Sequence, residues 1–185
     1  MSTLTVDIFL SADGFARGET SPGYFGYMGP DLDEWINSEA AAPQLVVLGR
    51  VTYEALASIP PEARDDGWQQ WTELPKVVFT RTLTQTDWPN TRLCHDLEGD
   101  IRRLKEGDVE LRTMGSVSLA RQLIDAGLVD RLRLMTFPLV VGDSGRDPFF
   151  ADIAATELEL TSSRILDGRI VLTEYRPTGT DIPRT

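Results

Sequence analysis

The chain has 185 residues, 41% hydrophobic and 25% charged, a globular composition. A chain of this length buries roughly 70% of its unfolded surface, so one domain needs no disulfide or metal staple. Its 18 basic and 29 acidic residues give a net charge of −11. That lacks the basic footprint of phosphate-backbone binding and argues against DNA or RNA as a partner.

The N-terminus has no basic region followed by a long apolar run, so it does not read as a signal peptide. No apolar segment approaches the ~20 residues of a membrane span, and a cytoplasmic protein is expected. Leu4–Leu10 reads as the first strand, ended by the turn residues Ser11-Ala12-Asp13-Gly14. Residues 17–30 form a loop rich in Gly, Tyr and Pro, long enough to suggest a functional cover. Tyr24, Phe25 and Tyr27 are its candidate contacts to a planar ligand. Asp31–Ala41 reads as a helix, with acids in its first turn and Leu32, Trp35 and Ile36 on one face. Gln44–Leu48 is a buried strand running into Gly49-Arg50-Val51-Thr52, and Val51–Ser58 a short helix.

Residues 59–75 are polar, with Trp68 and Trp71 as anchors. Lys76–Phe79 is a further strand, ending in Thr80-Arg81-Thr82. Thr91–His95 is a weaker strand and Leu97–Lys105 a helix. Cys94 and His95 are the single cysteine and histidine of the chain. With no second ligand of either type, they are read as structural and no metal site is expected. Val109–Met114 runs into Gly115-Ser116, Val117–Ala126 is a helix, and Gly127 stops it. Leu128–Leu139 reads as a strand interrupted by Pro138. Glu157–Ser163 and Arg169–Tyr175 flank Asp167-Gly168, a hairpin signal. A domain over residues 1–177 and a disordered tail over 178–185 follow.

This alternation predicts an α/β fold, with a mostly parallel central sheet and an antiparallel C-terminal hairpin. Ligands of such sheets sit beyond the carboxyl ends of the strands. Three junctions there have the chemistry for a phosphate: Gly49-Arg50-Val51-Thr52, Thr80-Arg81-Thr82 and Gly115-Ser116-Val117-Ser118. Glycine admits close backbone approach, a helix start offers unpaired N–H groups, and arginine offers a fork of donors.

These motifs, in this order and spacing, resemble the dihydrofolate reductase-like superfamily across nearly the whole chain. The similarity is greatest to the reductase domain at the C-terminus of bifunctional riboflavin-biosynthesis deaminase-reductases. Ser11-Ala12-Asp13-Gly14 resembles that branch's S-x-D-G, and Leu48-Gly49-Arg50-Val51-Thr52-Tyr53 the G-R-x-T with a following aromatic. Gly115 through Leu132 resembles G-G-x-x-L…G-L-V-D-E-L, with Ser116 in place of the second glycine and Arg131 in place of the acid. Pro138, Gly142 and Gly145 resemble the P-x-x-x-G-x-G loop.

The resemblance implies a dihydrofolate reductase-like three-layer sandwich and NADPH-dependent reduction of a pterin- or aminopyrimidine-like heterocycle. It implies that Gly49, Arg50 and Thr52 hold the cofactor's phosphates. Thr80, Arg81 and Thr82 would meet the adenosine end. Gly115, Ser116, Val117 and Ser118 would lie along the pyrophosphate and nicotinamide. Asp31 and Asp13 are the candidate proton donors, with helix capping the competing role for Asp31. Arg17, Arg112, Arg146 and Arg164 are unassigned cations for a substrate phosphate. The alternative is an NADPH-binding or sensing homodimer without efficient turnover; a homodimer through the C-terminal strands is compatible with either.

Overall fold

The structure is a computed structural model and describes residues 1–64, 68–180 and 182. Its short apolar runs become ten strands: β1 (Leu4–Ser11), β2 (Phe15–Gly18), β3 (Gln44–Gly49), β4 (Lys76–Phe79), β5 (Thr91–Cys94), β6 (Glu110–Met114), β7 (Arg131–Phe137), β8 (Gly145–Pro148), β9 (Leu158–Leu166) and β10 (Ile170–Pro177). Five helices join them: α1 (Pro30–Ala41), α2 (Arg50–Ala57), α3 (Trp68–Glu73), α4 (Leu97–Lys105) and α5 (Val117–Asp125).

Eight strands form the central sheet in the order β5-β4-β3-β6-β1-β7-β10-β9. The pairs from β5 to β7 are parallel, and β10 and β9 close the sheet as an antiparallel hairpin. Alternating residues on the strands bury both faces. Val6, Ile8, Val47, Val77 and Leu111 pack with Ile101 of α4 and Leu119, Ala120 and Leu123 of α5. On the opposite face, Met135, Phe137 and Leu172 meet Leu32 and Trp35 of α1, while Val46, Leu48 and Val78 meet Tyr53 of α2. The result is the expected three-layer arrangement.

The expected strand over Leu128–Leu139 is shorter at both ends. Gly127 adopts φ +63, and the Leu128 amide turns back to the Leu123 carbonyl at 3.0 Å. That left-handed close consumes residues 126–129 as the end of α5. The loop over 17–30 also carries more structure than its composition predicts. β2 pairs with β8 as a separate two-stranded ribbon, and Pro22–Tyr27 makes a 3-10 turn. Tyr24 is buried at φ 57, packs 5.4 Å from the Phe137 ring, and donates its hydroxyl to the Phe15 carbonyl at 2.7 Å. It belongs to the core and is not free to cover a ligand. Tyr27 is exposed, and the Phe25 side chain lies outside the described residues.

Asp31 and Asp167 close α1 reciprocally. The Asp167 carboxylate accepts the Asp31 and Leu32 amides at 2.8 and 3.3 Å, while the Asp31 carboxylate accepts the Asp167 amide at 2.7 Å. A residue 136 positions away thus supplies the cap that Gly29 cannot. In the tail, Thr178 and Thr180 are tied to the backbone of Glu157, and residues 181 and 183–185 lie outside the described residues.

Beneath α1 lies a buried ionic cluster. Asp7 of β1 sits between Arg112 of β6 and Arg133 of β7, with Arg133 Nε and Nη2 at 2.6 and 2.9 Å. Glu39 of α1 accepts from Arg133 at 2.8 Å, and the Arg133 guanidinium lies 4.8 Å from the Trp35 ring centroid. Burial opposes the Arg133 charge, and its hydrogen bonds to Asp7 and Glu39 outweigh that, holding it above the ordinary arginine range. Four side chains thereby join three strands and one helix.

Candidate active-site cleft

After β3 the chain leaves toward one face of the sheet as α2, and after the adjacent β6 it leaves toward the other as α5. Such a divergence opens a crevice at the carboxyl ends of the strands. A cleft of about 730 Å³ lies there. Gly49, Arg50, Val51 and Thr52 line it from the β3 end, and Phe79, Thr80, Arg81 and Thr82 from the β4 end. Cys94, His95, Asp96 and Leu97 come from the β5 end, and Gly115 through Leu119 from the β6 end. All three junctions singled out in the sequence therefore meet in one cavity.

The glycines have different jobs. Gly115 adopts φ +63 with open space where a side chain would start, so the backbone itself faces the cleft. Ser116 has an ordinary φ of −85, so the second position does not need glycine. Its buried hydroxyl accepts the Gly49 amide at 3.0 Å, tying the β3 and β6 loops together. Gly49 packs against Ser116 and Leu119, whose Cβ atoms would lie 3.6 Å from a Cβ placed there.

Neither α2 nor α5 has a side-chain cap at its N-terminus. Both starts line the cleft, where the helix dipole favours an anion; at α5 the Val117 amide already donates to the Gly115 carbonyl at 3.1 Å, which leaves the amides of Ser118 and Leu119 as that helix's donors. Arg50 pairs with Glu54 at 2.6 Å, but both side chains are more than 40% exposed. An exposed i,i+4 pair is worth a few tenths of a kcal/mol, about 0.3–0.5, so a phosphate competes for Arg50 easily. Arg81 is exposed and has no hydrogen-bond or ion-pair partner among the described residues. Thr80 is buried, and its hydroxyl accepts the Thr82 and Leu83 amides, which fixes the loop that carries Arg81.

Asp13 and Asp31 do not line the cleft. Asp13 is exposed in the turn after β1, and its carboxylate accepts the Val141 and Gly142 amides at 3.2 and 2.8 Å. The Ser11 hydroxyl, then the Gly142 amide, hold its carboxyl below the usual aspartate range. It staples one turn to another and is poorly suited to hold a proton at neutral pH. Asp31 is committed to the cap with Asp167. The four unassigned arginines also have partners. Arg112 belongs to the buried cluster, Arg17 pairs with Asp147 at 2.6 Å, Arg146 with Glu19 at 3.3 Å, and Arg164 lies 6.0 Å from the Trp35 ring.

Sequence reading missed the fourth wall, Cys94–Leu97. Its signal was present: Asp96 caps α4 by accepting the Gly99 amide at 3.2 Å, marking another strand-to-helix junction on the same edge. Burial, then the Asp100 charge, raise the Cys94 thiol above its ordinary range, so it enters the cleft as an inert neutral wall. Asp147 reaches the cleft from β8, through a ribbon that no local pattern announces. Among the described residues, no group of three or more His, Cys, Asp or Glu side chains is placed to hold a metal. Nor is any helix there long and apolar enough to cross a membrane.

Comparison with solved structures supports the fold. A protein described as a candidate riboflavin-biosynthesis protein of Shewanella sp. PV-4 matches with a TM-score of 0.78 and 19% identity, over 95% of this chain and 99% of the other. A diaminohydroxyphosphoribosylaminopyrimidine deaminase/5-amino-6-(5-phosphoribosylamino)uracil reductase of Thermotoga maritima matches at 0.68 and 16%, over 95% of this chain and 56% of its own. Dihydrofolate reductase of Enterococcus faecalis, in complex with NADP(H) and RAB-propyl, matches at 0.64 and 17%, over 95% of this chain and 96% of its own. The fold is thus dihydrofolate reductase-like. Over residues 2–172 the sequence also matches the family model of the RibD C-terminal domain, and the chain belongs to that family.

Proposed function

We propose that the protein is an NADPH-dependent reductase of a heterocyclic small molecule of the pterin or aminopyrimidine kind. The observation that carries this reading is the meeting of two uncapped helix N-termini, Gly115 and the two arginines Arg50 and Arg81 in one cleft. A dinucleotide with several phosphates fits that donor set. When bound, NADPH supplies the hydride. The residues of this chain hold and orient it. Gly49, Arg50 and Thr52 would bind phosphate from the α2 start, and Thr80, Arg81 and Thr82 the adenosine end. Gly115, Ser116, Val117 and Ser118 would let the pyrophosphate and the nicotinamide side lie against bare backbone. Because Asp13 and Asp31 are engaged in backbone contacts, we assign the substrate proton to solvent and give both acids positioning roles.

Fluorescence titration with NADPH tests the first step. Saturable binding in the micromolar range, weakened about tenfold or more by Arg50→Ala, supports the reading. Absence of binding at high micromolar cofactor defeats it. Retained turnover in Asp31→Asn would support solvent as the proton source, once a substrate is found.

The outer hairpin supports a homodimer. β9 is an edge strand, and the hairpin exposes Leu160 and Ile165 of β9 and Val171 of β10, the last two paired in register. An exposed apolar edge of this kind is normally covered. Sedimentation velocity should show a dimer that Ile165→Lys dissociates; a monomeric wild type removes the proposal.

A further inference from the structure

Parallel neighbouring strands need a long crossover, and the usual one is a helix. β4 and β5 are parallel neighbours without one: residues 80–90 join them as a loop with no helix or strand of its own. What fixes that loop matters, because Thr80, Arg81 and Thr82 at its start form one wall of the cleft. Its two ends are held. The Thr80 amide donates to the Cys94 carbonyl at 3.1 Å, and the Asn90 side chain donates to the Glu73 carbonyl at 2.8 Å. Between them, among the described residues, the hydrogen bonds that tie residues 84–88 to the rest of the chain run to one group, the Tyr53 hydroxyl. It accepts the Asp87 amide at 3.3 Å and shares a hydrogen with the Thr86 hydroxyl at 2.8 Å. The Thr86 oxygen in turn accepts the Trp88 amide at 3.3 Å, and the Tyr53 ring meets the Trp88 ring edge-on at 5.5 Å.

Tyr53 stands one turn beyond Arg50 and is the single buried residue of α2. With eight residues, α2 is too short to hold its place without tertiary contacts. The same side chain therefore seats α2, whose start is one cleft wall, and the middle of the loop that forms the next. We propose that the Tyr53 hydroxyl is a positioning group: it ties loop 80–90 to α2, so that Arg50 and Arg81 meet one ligand as a preset pair. The affinity it confers rests on the NADPH reading above; the hold on the loop does not. Without the hydroxyl the ring still packs, but the loop samples other poses. A loop in its competent pose about a third of the time weakens apparent affinity about threefold.

The experiment compares Tyr53→Phe with Thr86→Val, which remove the bond from opposite sides, at temperatures well below melting. Each should weaken NADPH binding in a fluorescence titration by about threefold to tenfold, and the double variant should lose no more than either single one. Arg81→Gln should weaken binding less in the Tyr53→Phe background than in the wild type, because an arginine already out of place has less to lose. A lower melting temperature with unchanged affinity would make Tyr53 a packing residue only and overturn the proposal. Losses that add in the double variant would overturn it too. Amide hydrogen exchange reads the loop without any ligand. In Tyr53→Phe the Asp87 amide should exchange about tenfold faster or more. The Thr82 and Leu83 amides, which the Thr80 hydroxyl holds at the cleft, should follow it. Faster exchange confined to Asp87 would mean that the hydroxyl does not position the wall. If the wild type binds no NADPH, the cofactor reading falls, and the exchange of Thr82 and Leu83 alone decides whether Tyr53 holds the loop.

Discussion

Asp7→Asn removes the buried carboxylate between two guanidiniums and leaves the more exposed Glu39 as the single acid facing both. The Asp7 and Arg133 side chains are each 5% exposed and Arg112 is 7% exposed, so water cannot replace the lost charge. Asparagine keeps one acceptor oxygen, so one or two of the three hydrogen bonds are lost, a gross loss of about 1.5–6 kcal/mol at ~1.5–3 each. The aspartate's own desolvation penalty, several kcal/mol, is recovered. The net cost of breaking a buried pair from one side is about 3–5 kcal/mol, a large part of a typical 5–15. For a chain of this size each kcal/mol lowers the melting temperature by about 2–4 °C, so a loss of about 6–20 °C is expected. Equilibrium urea denaturation with a double-mutant cycle against Arg133→Met measures the coupling directly. A loss below about 1 kcal/mol at unchanged m-value would refute the argument, because Glu39 alone would then suffice to hold both arginines.

Three further outcomes follow from local geometry. Ser116→Ala should cost about 1–2 kcal/mol, because it leaves the Gly49 amide without the hydroxyl it uses, and should weaken NADPH binding; unchanged stability would mean that the two loops are not coupled. Asp167→Ala should cost about 1 kcal/mol in thermal denaturation through loss of the α1 cap, with Asp31→Ala much milder; equal losses would contradict the assigned direction of capping. Lys76 is buried at the start of β4, where its ammonium donates to the Trp71, Thr72 and Leu74 carbonyls. Burial lowers it to about 8 from 10.5, so between those values the unfolded chain binds more protons and stability rises with pH. Denaturation midpoints at pH 8 and 10 should therefore increase in the wild type relative to Lys76→Met; parallel pH profiles would show that the carbonyls compensate fully for burial.

Much of this protein is legible from its residues alone. Short apolar runs alternating with periodic helices point to a parallel sheet, because strands buried on both faces are joined by long crossovers that are usually helical. Gly49-Arg50 and Gly115-Ser116 announce themselves, since glycine beside a cation or a helix start is a local signal. What the tertiary structure decided depends on residues far apart in the chain. Asp167 caps α1 across 136 positions, Tyr24 is drawn into the core by Phe137, and Asp13 is spent on the loop after β7. No local pattern records where a carboxylate's partners come from, so Asp13 and Asp31 look catalytic in the sequence and act as staples in the fold. The fourth wall of the cleft follows the same logic. His95 is an ordinary surface histidine until strand order places it beside Arg81, with its tautomer fixed by a carbonyl from the neighbouring strand end.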